Sequence, residues 1–317
     1  MIAGGVVVMR KSLDDFSNPL YLLGFLVVYA GVGAFLAIGV TQAAPDELAT
    51  MPLHVQEQEL AAAFSQLAFL WGVGIPMMVL VSVLAANGIA KESQTGTLRI
   101  LLSKPIRRWE VLGGKFAAIF LFTVLTMLAG ILLSAVLVFH FLGADLAAVS
   151  PMALGGGVWA LVPGILVYAL FVGFVTGAVG TALAVLTGSR MGTVLATLLI
   201  PVVFFAFIPV RLLAGATIYV DYRLYFVDLN YHFGNAFVFL LEALGVEFSP
   251  TTQSALGSAT GVYDTAGTGV DPLVGGMEAS VPLAGHVPPL VSLLGLLVGA
   301  GALLAAAVVY FERADIQ

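Results

Sequence analysis

Six stretches of nearly unbroken apolar sequence divide the chain, at residues 20–40, 67–86, 116–139, 158–186, 192–213 and 289–311. Each approaches or exceeds the roughly 20 residues that an α-helix needs to cross a ~30 Å hydrocarbon layer. The apolar side chains follow one another without a two-residue alternation, so the pattern specifies helices and not barrel strands. The fourth stretch is long enough to tilt, or to begin along the interface near Trp159. The pattern predicts an all-α integral membrane protein, with six transmembrane helices in one domain over residues 1–317.

The polar segments between these stretches differ in size and character. Residues 1–19 read as an interfacial segment ahead of the first span, and residues 87–115 as a compact loop. Residues 41–66 carry Asp46, Glu47, Glu57 and Glu59 and have room for a short helix. A brief connection surrounds Asp145 and Pro151. Residues 214–288 form the largest loop. Its aromatic part, residues 233–244, has the pattern of an amphipathic helix lying along the interface, and residues 249–289 read as irregular chain rich in Gly, Ser, Thr and Pro.

Charge assigns the sides. With both termini inside, ten of the twelve basic residues are cytoplasmic and only Arg211 and Arg223 are external. That topology places the protein in the cell membrane as a multi-pass protein. Composition narrows the classes further: 60% hydrophobic residues, 9% charged residues and a mean hydropathy of +1.07 suit lipid and not a soluble domain. The acidic balance, with a pI near 5.1, argues against nucleic acid as a partner. With no cysteine in the chain, disulfides, thiolate metal sites and cysteine nucleophiles are excluded.

Half of the basic residues fall in one stretch, KESQTGTLRILLSKPIRRWEVLGGK, residues 91–115. Glu92 follows the second span, and Gly96-Thr97-Leu98 interrupts a helical run. Leu98, Ile100, Leu101 and Leu102 form an apolar patch between Arg99 and Lys104, and Pro105 breaks the helix before Arg107 and Arg108. Gly113-Gly114-Lys115 then opens the third span. Two short helical pieces around a proline turn are expected, held at the membrane surface by basic side chains. Such a loop can simply orient the chain and bind acidic lipid. It can also dock a partner, and Glu92 is placed to pair with Arg99, Arg107 or Arg108.

The string Glu92…Gly96-Thr97-Leu98…Leu101-Leu102-Ser103-Lys104-Pro105-Ile106-Arg107-Arg108…Val111-Leu112…Gly114-Lys115 resembles the loop between spans two and three of ABC-2-type transporter permeases. Residues 7–16 resemble the connecting helix that precedes span one in that family. The likeness is specific over these residues and extends elsewhere only in layout; the long loop at 214–288 has no counterpart that it identifies. The resemblance implies a permease subunit of an ATP-binding-cassette transporter, an exporter, paired as a dimer with a second copy or a paralogue. ATP and Mg would be bound by a separate ATPase subunit. The partner-coupling residues would be Glu92, Gly96, Thr97, Leu98, Leu101, Leu102, Pro105, Arg107 and Arg108, with the leucines filling the ATPase groove. An alternative within the same fold is a permease-like component in the maturation of an external metalloenzyme such as nitrous-oxide reductase. A non-transporting membrane scaffold is the alternative from another class.

No catalytic or cofactor site is expected in the chain itself. Gly114-Lys115 lacks the glycine five residues earlier that a phosphate-binding loop requires, since Trp109 stands there. His54, His140, His232 and His286 are scattered in the external segments without ligand spacing, so no metal site is expected. The pairs Gly173/Gly177 and Gly295/Gly299 read as helix-packing positions, and Pro76, Pro163, Pro201 and Pro209 as kinks. Arg211, Asp221 and Arg223 read as an interfacial anchor or a local ion pair.

Because the chain is cysteine-free, single cysteines report its topology directly. Ser103→Cys and Ser280→Cys should label with an impermeant maleimide from opposite sides of the membrane, Ser280→Cys from outside. External labelling of Ser103→Cys would overturn the orientation.

Overall fold

A computed structural model describes residues 3–40, 50–102, 106–141, 158–263 and 285–313, all helix or connection, with no strand among them. The helices are α1 (Ala3–Phe16), α2 (Pro19–Val40), α3 (Leu53–Leu67), α4 (Ile75–Ala85), α5 (Thr97–Leu102), α6 (Arg108–Phe141), α7 (Val158–Thr187), α8 (Arg190–Asp221), α9 (Leu229–Ala243), α10 (Pro250–Thr260) and α11 (Pro289–Arg313). Five of the described segments are long and apolar enough to cross a membrane: His54–Gln94, Arg108–Phe141, Val158–Thr187, Arg190–Arg211 and Pro289–Arg313. Within α2, Leu22–Ala37 is a shorter apolar helix at the place of the first expected span.

The second span departs most from a simple rod. α3 runs into a π-helical turn at Ala68–Gly72, the chain breaks at Val73–Gly74, and α4 restarts with Pro76 in its first turn. A second π turn, Ala86–Ala90, leads into a last helical turn at Lys91–Gln94. The helix expected inside the 41–66 loop is thus the continuation of span two and not a separate element. Pro76 is accommodated because a first-turn residue needs no intrahelical N–H bond.

The largest correction concerns residues 214–263; the rest of the irregular segment expected at 249–289, residues 264–284, lies outside the described residues. α9 does not lie along the interface: Tyr231, Phe233, Phe237 and Leu241 are fully buried, packed against α7, α8 and α11. Phe69 from the first π turn, Tyr168 of α7, Phe204 of α8 and Phe237 of α9 form one aromatic cluster, with ring centroids 5.0–6.0 Å apart. Aromatic pairs at such distances add roughly 0.5–1.5 kcal/mol each beyond their buried area. An amphipathic pattern cannot tell a lipid interface from a protein neighbour, and here protein covers the apolar face. Nor is all of 249–289 irregular. Ser249 caps α10 by accepting from Thr252 N at 3.2 Å, Pro250 stands at its start, and Gly261 ends it.

Arg211 organises the layer that α9 and α10 form. It is 1% exposed, and its Nη1 donates to Asp228 Oδ2 at 2.6 Å and to the Thr260 carbonyl at 2.9 Å. Its Nη2 donates to Asn230 Oδ1 at 2.7 Å and to the Ala259 carbonyl at 2.8 Å. One guanidinium thereby satisfies the last carbonyls of α10 and holds the residue that caps α9, since Asp228 Oδ1 accepts from Tyr231 N at 3.0 Å. Tyr219 donates its hydroxyl to the same carboxylate. Burial first, and then the Asp228 charge, push that phenol well above its usual range, so it remains a donor. The partner of Arg211 is therefore Asp228; Asp221 and Arg223 are exposed.

The two glycine pairs separate. Gly173 faces Val124 and Phe120, and Gly177 faces Phe116, which are close contacts with α6. Gly295 and Gly299 meet nothing within 4 Å and lie on an open face of α11.

Removing one partner of a fully buried pair leaves an uncompensated charge, at a cost of about 3–5 kcal/mol. Asp228→Asn or Arg211→Leu should therefore lower the thermal midpoint of the detergent-purified protein by several degrees. The same variants should expose the 222–263 region to limited proteolysis. Unchanged melting and cleavage would show that the pair does not hold α9 and α10.

Candidate functional site

The basic stretch at 91–115 folds as a junction between spans two and three. The turn Lys91–Gln94 ends where Thr95 N donates to the Lys91 carbonyl at 2.9 Å, and Gly96 adopts φ +74°. That left-handed conformation costs a glycine nothing and is strained for other residues, so it fixes the bend into α5. Thr95 and Thr97 share a hydroxyl hydrogen bond of 2.9 Å across the bend.

The apolar patch on α5 faces the chain's own core. Leu98 is 2% exposed, and Leu101 is partly buried against the same cluster. Three residues apart on a helix, they share one face, and that face is used to seat α5 on the membrane domain. Leu98 and Leu101, expected to fill a partner's groove, here face the chain's own core, and the exposed side of this junction carries Gln94, Thr95 and Thr97, and further on Arg107 and Trp109. The side chains of Arg99, Ile100 and Leu102, and all of Ser103, Lys104 and Pro105, lie outside the described residues.

α6 starts at Arg108 and not at Lys115. Glu110 Oε2 accepts from Arg107 N at 3.1 Å, closing the helix start in the manner of a capping box. Gly113 and Gly114 consequently lie inside the helix. A Cβ on Gly114 would come within 2.5 Å of the Gly5 carbonyl oxygen, so this glycine lets α1 lie directly against α6. Arg108 Nη1 donates to the carbonyls of Phe311 and Glu312, at 3.3 and 3.1 Å, linking the junction to the end of α11.

Lys115 is the residue that sequence reasoning did not single out as a site. It is 2% exposed, and its Nζ lies 2.8 Å from Glu92 Oε2. It also donates to the carbonyl of Gly88, inside the second π turn. Glu92 thus pairs with Lys115 and not with Arg107 or Arg108. The ammonium bridges the end of span two, its widened turn and the start of span three. A lysine set inside the apolar periodicity of a span, with a glutamate at the end of the preceding one, was the available signal.

The four histidines do not converge. His54, His140 and His286 are exposed, and His232 is bound to Ser292 Oγ at 2.9 Å and to the Phe226 carbonyl at 3.1 Å. Among the described residues, no group of three His, Asp or Glu side chains is placed to hold a metal ion.

A family model described as ABC-2 family transporter protein matches residues 38–311, from the first span to the last. The chain belongs to this family. This ABC-2 family member is accordingly a multi-pass membrane protein and a membrane component of an ABC transporter. No curated protein matches it.

Glu92→Gln leaves the Lys115 ammonium buried against a neutral amide, whereas the double change Glu92→Gln/Lys115→Met removes the charge altogether. The single variant should lose about 3–5 kcal/mol of stability, and the double variant should recover most of that. Thermal melts of the four members of this cycle in one detergent measure the coupling. Additive losses would dissolve the pair.

Proposed function

We propose that this ABC-2 family member is the permease subunit of an exporter in the cell membrane, driven by a separate ATPase that binds ATP and Mg. Two permease copies, or this chain and a paralogue, would complete the assembly. Both termini and the 91–115 junction then face the cytoplasm, as the distribution of basic residues favours. The observation that carries the reading is the junction's division of labour. Leu98 of α5 is buried in the membrane domain, while Gln94 and Thr95 before that helix, Thr97 at its start and Arg107 after it are exposed to solvent.

A displacement applied to that exposed side has a short path inward. The Glu92–Lys115 pair joins the junction to spans two and three, and Arg108 joins it to the end of span six. Coupling requires a physically connected element with two arrangements. The π turn at Ala86–Ala90, directly beside the pair, is where span two departs from regular helix and can change its pitch. Polar docking with charge complementarity suits a partner that must shift through a cycle. Of the assigned coupling residues, Glu92, Gly96, Leu98 and Leu101 then act by positioning the junction, and Thr97 and Arg107 by touching the partner.

The test separates these roles. Arg107→Glu should reduce co-elution of the ATPase subunit several-fold from mild detergent, with the yield of permease unchanged. Leu98→Asp should reduce the yield of folded permease itself. Full co-elution with Arg107→Glu, or loss of the ATPase from well-folded Leu98→Asp, would reverse the assignment of faces.

A further inference from the structure

A groove of about 740 Å³ opens beside the junction, between the end of α1, α2 and the junction half of span two. Its volume falls within the roughly 300–1,000 Å³ typical of small-molecule sites. Its lining is mixed: Phe25 from α2, Val83 from α4 and Phe122 from α6 supply apolar wall, and Ser12, Asn87, Thr95 and Thr97 supply polar groups. Charged residues also line it: Lys91, Arg190 and, at the end of α1, Asp15. Glu92 borders it too, but its carboxylate is engaged by Lys115 at 2.8 Å. Among the described residues, neither Lys91 nor Arg190 forms an ion pair. Lys91 and Arg190 are exposed and stand where span two ends and span five begins, the position at which basic side chains meet lipid headgroups.

This is the chemistry of an amphiphile's surroundings in miniature. Two cations without carboxylate partners suit a phosphate, and the apolar part of the wall suits acyl chains. Asp15 distinguishes among headgroups: it repels a purely anionic head and attracts an ammonium. We infer that the groove is a binding site for an amine-bearing phospholipid of the leaflet on the junction side, phosphate at Lys91 and Arg190, ammonium at Asp15, and an acyl chain along Phe25, Val83 and Phe122. That this leaflet is the cytoplasmic one rests on the orientation proposed above; the binding itself does not.

Native mass spectrometry of the full-length, detergent-purified chain, titrated with dioleoyl-phosphatidylethanolamine, tests the site independently of orientation and of any ATPase. A single saturable adduct is expected, at least tenfold weaker with Lys91→Gln/Arg190→Gln. Asp15→Asn should remove the preference for this lipid over dioleoyl-phosphatidylglycerol while leaving binding of the latter intact. Val83→Trp, at a side chain 44% exposed on the groove wall, should block the adduct without perturbing the fold. Equal binding of dioleoylglycerol, which lacks the phosphate, would overturn the proposal, as would an adduct that survives both the charge and the tryptophan variants. Displacement of the lipid by water-soluble phosphoethanolamine at equal concentration would reduce the site to an anion site without an acyl groove, and would overturn it too.

Discussion

A charge that leaves water must take its counter-charge with it, and this constraint shapes both ends of the molecule. Only 9% of the residues are charged, yet a lysine and an arginine are each almost wholly buried, Lys115 at one end of the bundle and Arg211 at the other. Neither can be accommodated in a low-dielectric interior without several compensating contacts. Each therefore fixes elements that are distant in sequence. Lys115 draws Glu92 and the Gly88 carbonyl to it, tying spans two and three together across the junction. Arg211 draws Asp228, Asn230 and the final carbonyls of α10, tying α9 and α10 to span five. Hydrophobic matter fills the space between but would pack in many registers; the buried ions select one.

The two centres have different consequences because their surroundings differ. Around Arg211 the contacts are many and rigid, with helix ends satisfied on both sides and an aromatic cluster deeper in the bundle. The result is a fixed layer at α9 and α10. Around Lys115 the neighbouring backbone is a π turn, a helix with one residue too many for its pitch. The pair is set directly beside that turn, so the junction's hold on span three adjoins the irregular part of span two. In the function proposed above, this is the place at which movement would enter the permease.

Much of this was legible in the sequence, for identifiable reasons. Continuous apolar runs located all the long helices, because crossing lipid leaves a helix no other composition. The GTL and LLSKPIRR strings located the junction and the family, since a Gly with positive φ, as at Gly96, is a local requirement. What the sequence did not disclose was which way surfaces face. The Leu98/Leu101 stripe is equally compatible with a partner's groove and with the chain's own core, and the core takes it. The aromatic helix at 229–243 is equally compatible with lipid and with protein. Partners across long separations, Lys115 for Glu92 and Asp228 for Arg211, depend on tertiary approach and leave no local pattern. Sequence proximity instead suggested Arg107, Arg108 and Asp221.

The central claim is that Glu92 and Lys115 stay together as a fixed link while span two adjusts around them. In the otherwise cysteine-free chain, Glu92→Cys/Lys115→Cys joined by a short thiol-specific cross-linker would hold the two positions at their paired separation. ATP turnover of the reconstituted complex, measured before and after cross-linking, tests this most directly. Turnover restored by the cross-link toward the unmodified level is the expected result; a cross-link that arrests turnover would show that the two residues must part during the cycle, and would contradict the account.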